Sequence, residues 1–240
     1  MESYRVCILG NSHLVAFQQS WSNWPPGVRA DFSPAFFFAL TPLLNTIKLR
    51  GSALITSDPD LRDRFEQSTG ERRIELANYD AFVLVGLRFN FNIPEICGRY
   101  GTIDHARYDE GARQLLSREL FTRMLRAQFD GTDALRIAGM IRQRSPAPIL
   151  ISPVPLRMEA TLDDEQFAGD ARLRNPEFLE HVYGQFREAG AAAAKALNCE
   201  VLWQDPKTIA RAAFTASQYS RASSGAARDL RDRWHGNDLF

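Results

Sequence analysis

The chain has 240 residues, and its 29 basic side chains balance 29 acidic ones, so the formal net charge is zero. This balance leaves no overall field to attract nucleic acid or an anionic membrane, and binding to either is not expected. No apolar run approaches the roughly 20 residues of a membrane span. The sequence predicts one soluble domain over residues 1–240, and the lack of a signal-like apolar segment near Met1 favours the cytoplasm.

The three cysteines, Cys7, Cys97 and Cys199, are scattered and show none of the CxxC pairing of zinc or redox sites. We expect free thiols, with Cys7 and Cys199 buried as small apolar residues. Asp104 and His105 are adjacent but lack a third ligand at a usable spacing. Neither a metal nor any other cofactor is therefore predicted.

In chain order, short apolar runs alternate with segments of helical spacing. The predicted strands cover residues 5–10, part of 30–40, 52–56, 80–87, 147–154 and 199–203. The predicted helices cover residues 13–21, 60–66, 108–129 with a break, 132–144 and 175–198. Pro34 is expected to confine the second strand to the residues on one side of the proline. The run at 52–56 follows a turn, which also fits a hairpin near the sheet edge.

The last predicted helix has the clearest signals. Asn175 is a favourable N-cap, and Pro176 suits the first helical position. Apolar residues from Phe178 to Leu197 follow three-and-four spacing and form one stripe to lay on a sheet. Alternation of strands and helices predicts a parallel sheet with right-handed crossovers. We therefore predict an α/β protein, a three-layer α/β/α sandwich with helices on both faces of the sheet.

The first strand stops at the polar stretch Gly10-Asn11-Ser12-His13. Open α/β sheets bind ligands beyond the carboxyl ends of their strands. A serine there places its hydroxyl at the crevice and its own N–H at a helix start, where amides stabilise an oxyanion. Asn11 and Ser12 are also favoured N-cap residues, so a purely structural role remains open. The stretch matches no glycine-rich phosphate signature.

Near the other end of the chain, Asp232 and His235 are three residues apart. On a turn, this spacing lets the carboxylate hold the imidazole Nδ1–H and leaves Nε2 facing a nucleophile. With Ser12, the pair completes a triad in the order Ser, Asp, His. A lone DxxH pattern also occurs on solvated surface helices, so the combination with Ser12 is what indicates a catalytic site.

The two blocks, ILGNSH at the first strand and DRWHGN near the C-terminus, together resemble the SGNH or GDSL hydrolase family. In that family a serine follows the first strand in a GDS-type block, and here Asn11 stands in the place usually held by aspartate. The resemblance implies Ser12 as nucleophile, His235 as general base and then acid, and Asp232 as its orienting partner. It also implies a flavodoxin-like sheet of strand order 2-1-3-4-5, with DAFVLVGL and PILISPVPL as the third and fourth strands.

The blocks between these two depart from the family pattern. The family usually donates an oxyanion hydrogen bond from a glycine after the second strand, and SPAFFFALTPLL contains none. Its third block is GxND, whereas the strand here ends GLRFN, with Arg88 in the place of asparagine. We assign Gly86, Arg88 and Asn90, with Asn11 and His13, to the oxyanion and substrate-binding site. Arg88 either stabilises an oxyanion by its charge or pairs with a carboxylate at the strand end.

Four further residues carry expectations about the site. His13 either lines the crevice or is a surface residue of the first helical turn. His181 lies off the apolar stripe of its helix, so we expect it to face solvent. Phe89 and Phe91 follow the third main strand and are predicted to border a substrate pocket.

The leading hypothesis is a serine esterase that cleaves or transfers a small acyl group, such as acetyl, from a carbohydrate or other alcohol through an acyl-enzyme. The alternative is a binding or accessory domain that kept the fold and lost efficient chemistry, which the missing glycine and Arg88 favour. A nucleotide or phosphate site at the switch point of the sheet is a third possibility. The sequence leaves the oligomeric state open.

Overall fold

The computed structural model describes residues 3–92, 100–104, 114–164 and 171–219. The α-helices within these ranges are α1 (Leu14–Ser22), α2 (Pro26–Asp31), α3 (Pro59–Thr69), α4 (Arg118–Asp130), α5 (Asp133–Arg142) and α6 (Pro176–Lys195). The strands are β1 (Tyr4–Gly10), β2 (Phe32–Phe38), β3 (Ile47–Arg50), β4 (Ala53–Thr56), β5 (Ile74–Glu75), β6 (Ala81–Val85), β7 (Gly101–Thr102), β8 (Leu115–Leu116), β9 (Ile149–Ser152), β10 (Glu200–Val201), β11 (Ile209–Ala210) and β12 (Phe214–Thr215). Short 3₁₀ helices occupy Thr41–Thr46, Leu76–Asn78, Glu159–Asp163, Ala171–Arg174, Pro206–Thr208 and Ser217–Tyr219.

The main sheet has five parallel strands in the spatial order β10-β9-β6-β1-β2. The chain moves outward from β1 to β2 and then returns to the other side of β1 to form β6. The direction of winding therefore reverses between β1 and β6. Register aligns Gly10 with Phe38 on one neighbouring strand and with Val85 on the other, so three carboxyl ends lie side by side. The α/β class and the parallel sheet flanked by helices are thus confirmed.

Side-chain caps define where several helices begin. Asp58 Oδ1 accepts a hydrogen bond from the Leu61 N–H at 2.9 Å at the start of α3. The same arrangement recurs at three other helix starts, with Ser117 capping α4, Thr132 capping α5 and Asn175 capping α6. Each such cap stabilises its helix by about 1 kcal/mol. The start of the long helix α6 at Asn175 and Pro176 is as the sequence predicts.

One face of the main sheet carries the hydrophobic core. Alternate residues of the central strands, among them Cys7, Leu9 and Phe37, point to this face and are fully buried. They belong to one apolar cluster with residues of α3, α4, α5 and α6. The ring of Phe37 meets that of Phe65 from α3 edge-on, with centroids 5.2 Å apart.

Outside the main sheet, one sequence expectation is confirmed in part and one is wrong. The run at 52–56 forms β4 and pairs with β3 in a hairpin, as expected, with Gly51 in the turn at φ 61°. This hairpin belongs, however, to a separate antiparallel sheet that β5 completes, and not to the edge of the main sheet. The predicted helix over 108–129 is wrong at Leu115–Leu116, which form β8 beside β7. The helix begins only at Arg118, because the Ser117 hydroxyl accepts from the Leu120 N–H and caps it there. Tyr108 lies outside the described residues.

Among the described residues, no helix combines the length and the apolar composition that a membrane crossing requires. Of the cysteines, Cys7 is buried as predicted, while Cys199 is only half-buried and Cys97 lies outside the described ranges. Burial raises the pKa of both described thiols, and the fully buried Cys7 thiol stays protonated well above the ordinary thiol range.

We predict that Cys7 resists alkylation in the folded protein, because the thiolate is the nucleophile and the buried thiol does not ionise. With iodoacetamide at mildly alkaline pH, peptide mapping should find Cys7 unmodified in buffer and fully modified in urea. Rapid modification of Cys7 without denaturant contradicts its placement in the core.

Candidate functional site

The candidate site lies where the winding direction of the main sheet reverses. Residues 11–13 follow β1, and residues 86–90 follow β6. These strands are neighbours, with Gly10 opposite Val85, so the two polar loops meet at the same edge of the sheet. Such a switch point is where open α/β sheets form a crevice for ligands.

Gly10 lets β1, β6 and α1 approach one another closely. A Cβ atom at this position would lie 2.9 Å from Val85 Cβ and 3.1 Å from Leu14 Cβ. No larger side chain fits there without moving the first turn of α1 or the end of β6. The glycine therefore holds the loop after β1 tightly against its neighbours.

Asn11 joins the loop after β1 to the loop after β6. Its side chain is buried, and Asn11 Oδ1 accepts a hydrogen bond from the His13 N–H at 3.2 Å. Its backbone carbonyl accepts from the Leu14 N–H at 2.9 Å. The amide also packs on Gly86, where a Cβ atom would lie only 2.6 Å from Asn11 Oδ1. This residue thus shapes the turn that presents Ser12.

Ser12 is exposed and lies two residues before α1 begins at Leu14. The N-cap position is held by His13, whose side chain makes no capping hydrogen bond. The interpretation of Asn11 or Ser12 as the N-cap is therefore wrong. Asn11 instead closes the turn that precedes the helix, because its short amide reaches the N–H two residues on. His13 itself is half-buried rather than a fully exposed surface residue.

The loop after β6 opens with a turn of unusual backbone conformation. The Phe89 N–H donates to the Gly86 carbonyl at 2.8 Å, and the two residues between them, Leu87 and Arg88, have φ values of 45° and 63°. Positive φ at both central residues is the pattern of a type I′ turn, which favours Asn and Gly. Leu87 stays in this conformation because its side chain is buried and its carbonyl accepts from the Ala134 N–H. Such strain is commonest at functional sites.

A charged cluster lies beside this turn. Asp133, the first residue of α5, has a side chain that is only 8% exposed and pairs with Arg136 Nη2 at 2.9 Å. Arg88 Nη1 lies 3.9 Å from the other oxygen of this carboxylate, and the Arg88 side chain remains 63% exposed. Arg136 also donates to the carbonyls of Leu44 and Ile47. Arg88 thus lies beside Asp133 while its guanidinium stays accessible to solvent.

The sequence reasoning missed Asp133 and Arg136. Their spacing of three residues behind a Thr132 cap was a visible helix-start signal. Nothing in the linear sequence, however, joined them to the loop after β6, which precedes them by more than forty residues.

The aromatic residues beyond β6 do not both border a pocket. Phe89 is fully buried, and its ring centroid lies 4.6 Å from that of Phe129, so the prediction that it borders a substrate pocket is wrong. Side chains alternate in direction along this loop, which leaves Arg88 and Asn90 exposed and turns Phe89 inward. Phe91 does line an apolar groove, which Phe17 of α1 also lines.

Other predicted residues have different outcomes. Asp232 and His235 lie outside the described residues, as does His105. His181 on α6 is half-buried, so the expectation that it faces solvent is wrong. Within the described ranges, no group of three or more His, Cys, Asp or Glu residues is placed to hold a metal ion. Asp104 instead pairs with Arg118 at 2.8 Å.

Comparison with models of known protein families finds no match for this chain. Comparison with curated proteins likewise finds no significant match.

The contact between Asn11 and Gly86 generates a prediction with an internal control. Gly86 and Gly51 both have positive φ, at 75° and 61°, but only Gly86 has a neighbour within reach of an added Cβ. Gly51→Ala should cost about 1 kcal/mol from backbone strain alone. Gly86→Ala should cost about 3 kcal/mol, because the clash with Asn11 adds to that strain.

Urea unfolding of both variants measures this difference. The cost of Gly86→Ala should shrink when Asn11 is replaced by alanine, which removes the clashing atom. Equal destabilisation by the two glycine substitutions would show that the loops after β1 and β6 are not in contact.

Proposed function

We propose that this chain is a serine hydrolase of the SGNH type, which cleaves or transfers a small acyl ester through an acyl-enzyme on Ser12. In this proposal the sheet and its helices form a flavodoxin-like three-layer α/β/α sandwich. The substrate is a small molecule or carbohydrate that carries an ester such as acetyl.

One observation carries the proposal. Ser12 is exposed two residues after β1, at the edge where the winding direction of the sheet reverses and next to the loop after β6. A nucleophile must be accessible to substrate and must be held in a fixed position. The tight packing at Gly10 and Asn11 supplies the rigid support for the loop that carries Ser12.

The proposed chemistry follows from the three residue types. Ser12 Oγ attacks the ester carbonyl while His235 takes its proton, and collapse of the tetrahedral intermediate expels the alcohol, which receives that proton. His235 then deprotonates a water molecule that hydrolyses the acyl-serine. An acceptor alcohol in place of water gives acyl transfer. Asp232 orients the imidazole and stabilises its cationic form.

The oxyanion requires donors near the start of α1 and the loop after β6. The Ser12 N–H precedes the first turn of α1, where the helix dipole favours negative charge. Arg88 supplies a positive charge from the type I′-like turn at Gly86, and Asn90 is an exposed amide in the same loop. In this proposal the charge of Arg88 stands in for the asparagine of the family pattern.

A catalytically impaired accessory domain is the second candidate, and one observation favours it. The Ala39 N–H, directly after β2, donates to the Gly10 carbonyl at 2.9 Å. This amide lies where the resemblance leads one to expect a glycine that donates to the oxyanion, and it is already engaged within the sheet. A site with one donor fewer would be slower by about two orders of magnitude.

We predict that Ser12→Ala abolishes hydrolysis of p-nitrophenyl acetate and labelling by a fluorophosphonate probe. Ser22→Ala is the matched control, because Ser22 lies at the far end of α1, the helix that Ser12 precedes, and bonds only weakly to the Gln18 carbonyl at 3.4 Å. The control should keep wild-type turnover and labelling. Wild-type turnover by Ser12→Ala would refute the assignment, and an unlabelled, inactive wild-type protein would favour the accessory domain.

Arg88→Ala should lower kcat about a hundredfold with little change in KM, because an oxyanion donor acts mainly in the transition state. Arg123→Ala is the control, since Arg123 is an exposed arginine that pairs with Glu119 one helical turn away. A loss of stability without a change in kcat would mean that Arg88 serves only to pair with Asp133.

A further inference from the structure

A polar network centred on the half-buried side chain of Gln204 joins the loops after β9 and β10 to β12. Gln204 Oε1 accepts a hydrogen bond from the Leu156 N–H at 2.9 Å. Gln204 Nε2 donates to the hydroxyls of Thr208 and Thr215, each at 3.0 Å. Both threonines are buried, and Thr215 is completely inaccessible to solvent. Three segments of the chain thus meet on one amide side chain.

The groups of this network satisfy one another. The two N–H groups of the Gln204 amide each have a threonine hydroxyl as acceptor. These hydroxyls in turn donate to backbone carbonyls, Thr208 to Asp205 at 2.7 Å and Thr215 to Leu156 at 2.6 Å. Because a buried polar group that loses its partner costs about 1–3 kcal/mol, the network holds the three segments in one arrangement.

The network lies at the same edge of the main sheet as the candidate site. Leu156 follows the carboxyl end of β9, and β9 is two strands away from β1, a separation of about 10 Å. The loop after β9 is also tied to the loop after β6, because the Val154 N–H donates to the Phe89 carbonyl at 2.8 Å. Ser12 lies in the loop after β1, at this same edge.

Further hydrogen bonds extend the anchored stretch toward the end of the described chain. The Thr215 N–H donates to the Arg157 carbonyl at 2.8 Å. Two residues further on, the N–H and the hydroxyl of Ser217 both donate to Glu159 Oε1, at 3.2 and 3.1 Å. The chain is therefore fixed beside the loop after β9 just before its last described residue, Tyr219.

The sequence continues from this anchored stretch to Asp232 and His235. We propose that Gln204 and Thr215 are positioning residues of the hydrolase. By fixing the chain at the edge of the sheet, they set the point from which the C-terminal segment brings His235 to Ser12. This inference rests on the proposed acyl-enzyme mechanism and adds to it two residues that act through the triad rather than on the substrate.

A general base works only within hydrogen-bond reach of the proton that it takes. Misplacement of a catalytic group by about 1 Å can lower the rate about a hundredfold. Loosening the chain at Thr215 adds freedom to the residues that follow it, and His235 is one of them. A network that served stability alone would instead change the free energy of unfolding and leave kcat unaltered.

Thr215→Val keeps the shape of the side chain and removes the hydroxyl. This variant should lower kcat for p-nitrophenyl acetate at least tenfold with little change in KM, because the base is misplaced while Ser12 and the substrate site remain. Thr215→Ser restores the hydroxyl and should keep most of the turnover. Gln204→Met, which removes the amide at similar volume, should resemble Thr215→Val.

Thr56→Val is the matched control. Thr56 is also buried, and its hydroxyl lies 2.6 Å from that of Thr46. It belongs to β4 in the separate antiparallel sheet, away from the strands that carry the candidate site. In urea unfolding, this variant should lose stability as Thr215→Val does, and it should keep wild-type kcat.

Hydrogen exchange, measured by mass spectrometry, gives a readout that does not need activity. The peptide that contains His235 should exchange faster in Thr215→Val than in the wild type, and at the wild-type rate in Thr56→Val. A folded Thr215→Val protein with wild-type kcat overturns the positioning role, and so does unchanged exchange of that peptide. An inactive wild type whose Ser12 is not labelled refutes the hydrolase itself, while the exchange rates still decide whether the network anchors the segment.

Discussion

The close approach of the ends of β1 and β6 is the contact on which the candidate site depends. Gly10 lets Val85 and Leu14 come within van der Waals distance, and Gly86 leaves room for the Asn11 amide. These two glycines bring both polar loops to one point, because any larger side chain would separate them. Asn11 then closes the turn before α1 and leaves Ser12 facing outward. The accessibility of Ser12 is thus a consequence of how tightly its neighbours pack.

Side chains along the main strands point alternately to the two faces of the sheet, and these faces differ in burial. On one face, buried residues such as Phe37 and Leu84 join the helices in a single core that holds the sheet together. On the other face, half-buried residues such as Val83 and Phe36 leave an apolar surface beside α1. A sheet with such different faces gains most of its stability from one side and leaves apolar side chains partly exposed on the other.

The turn after β6 shows how tertiary packing overrides local preference. Leucine and arginine disfavour positive φ, yet Leu87 and Arg88 adopt it because Leu87 is buried and Asp133 lies beside Arg88. Asp133 is held in turn by Arg136, which also binds the carbonyls of Leu44 and Ile47. The cluster therefore ties the loop after β6 to α5 and to the segment before β3. Arg88 therefore lies next to a cluster that joins three separate parts of the chain.

By itself, the sequence determined the alternation of strands and helices, the parallel α/β class and the start of α6, because hydrophobic periodicity and caps are local properties. It also placed Ser12 in the polar loop after the first strand. Only the tertiary structure decided that Phe89 belongs to the core, that Leu115–Leu116 form a strand, and that Arg88 meets Asp133. These outcomes depend on contacts between segments far apart in the chain. Residue spacing carries no information about which distant side chain will fill the space beside a loop.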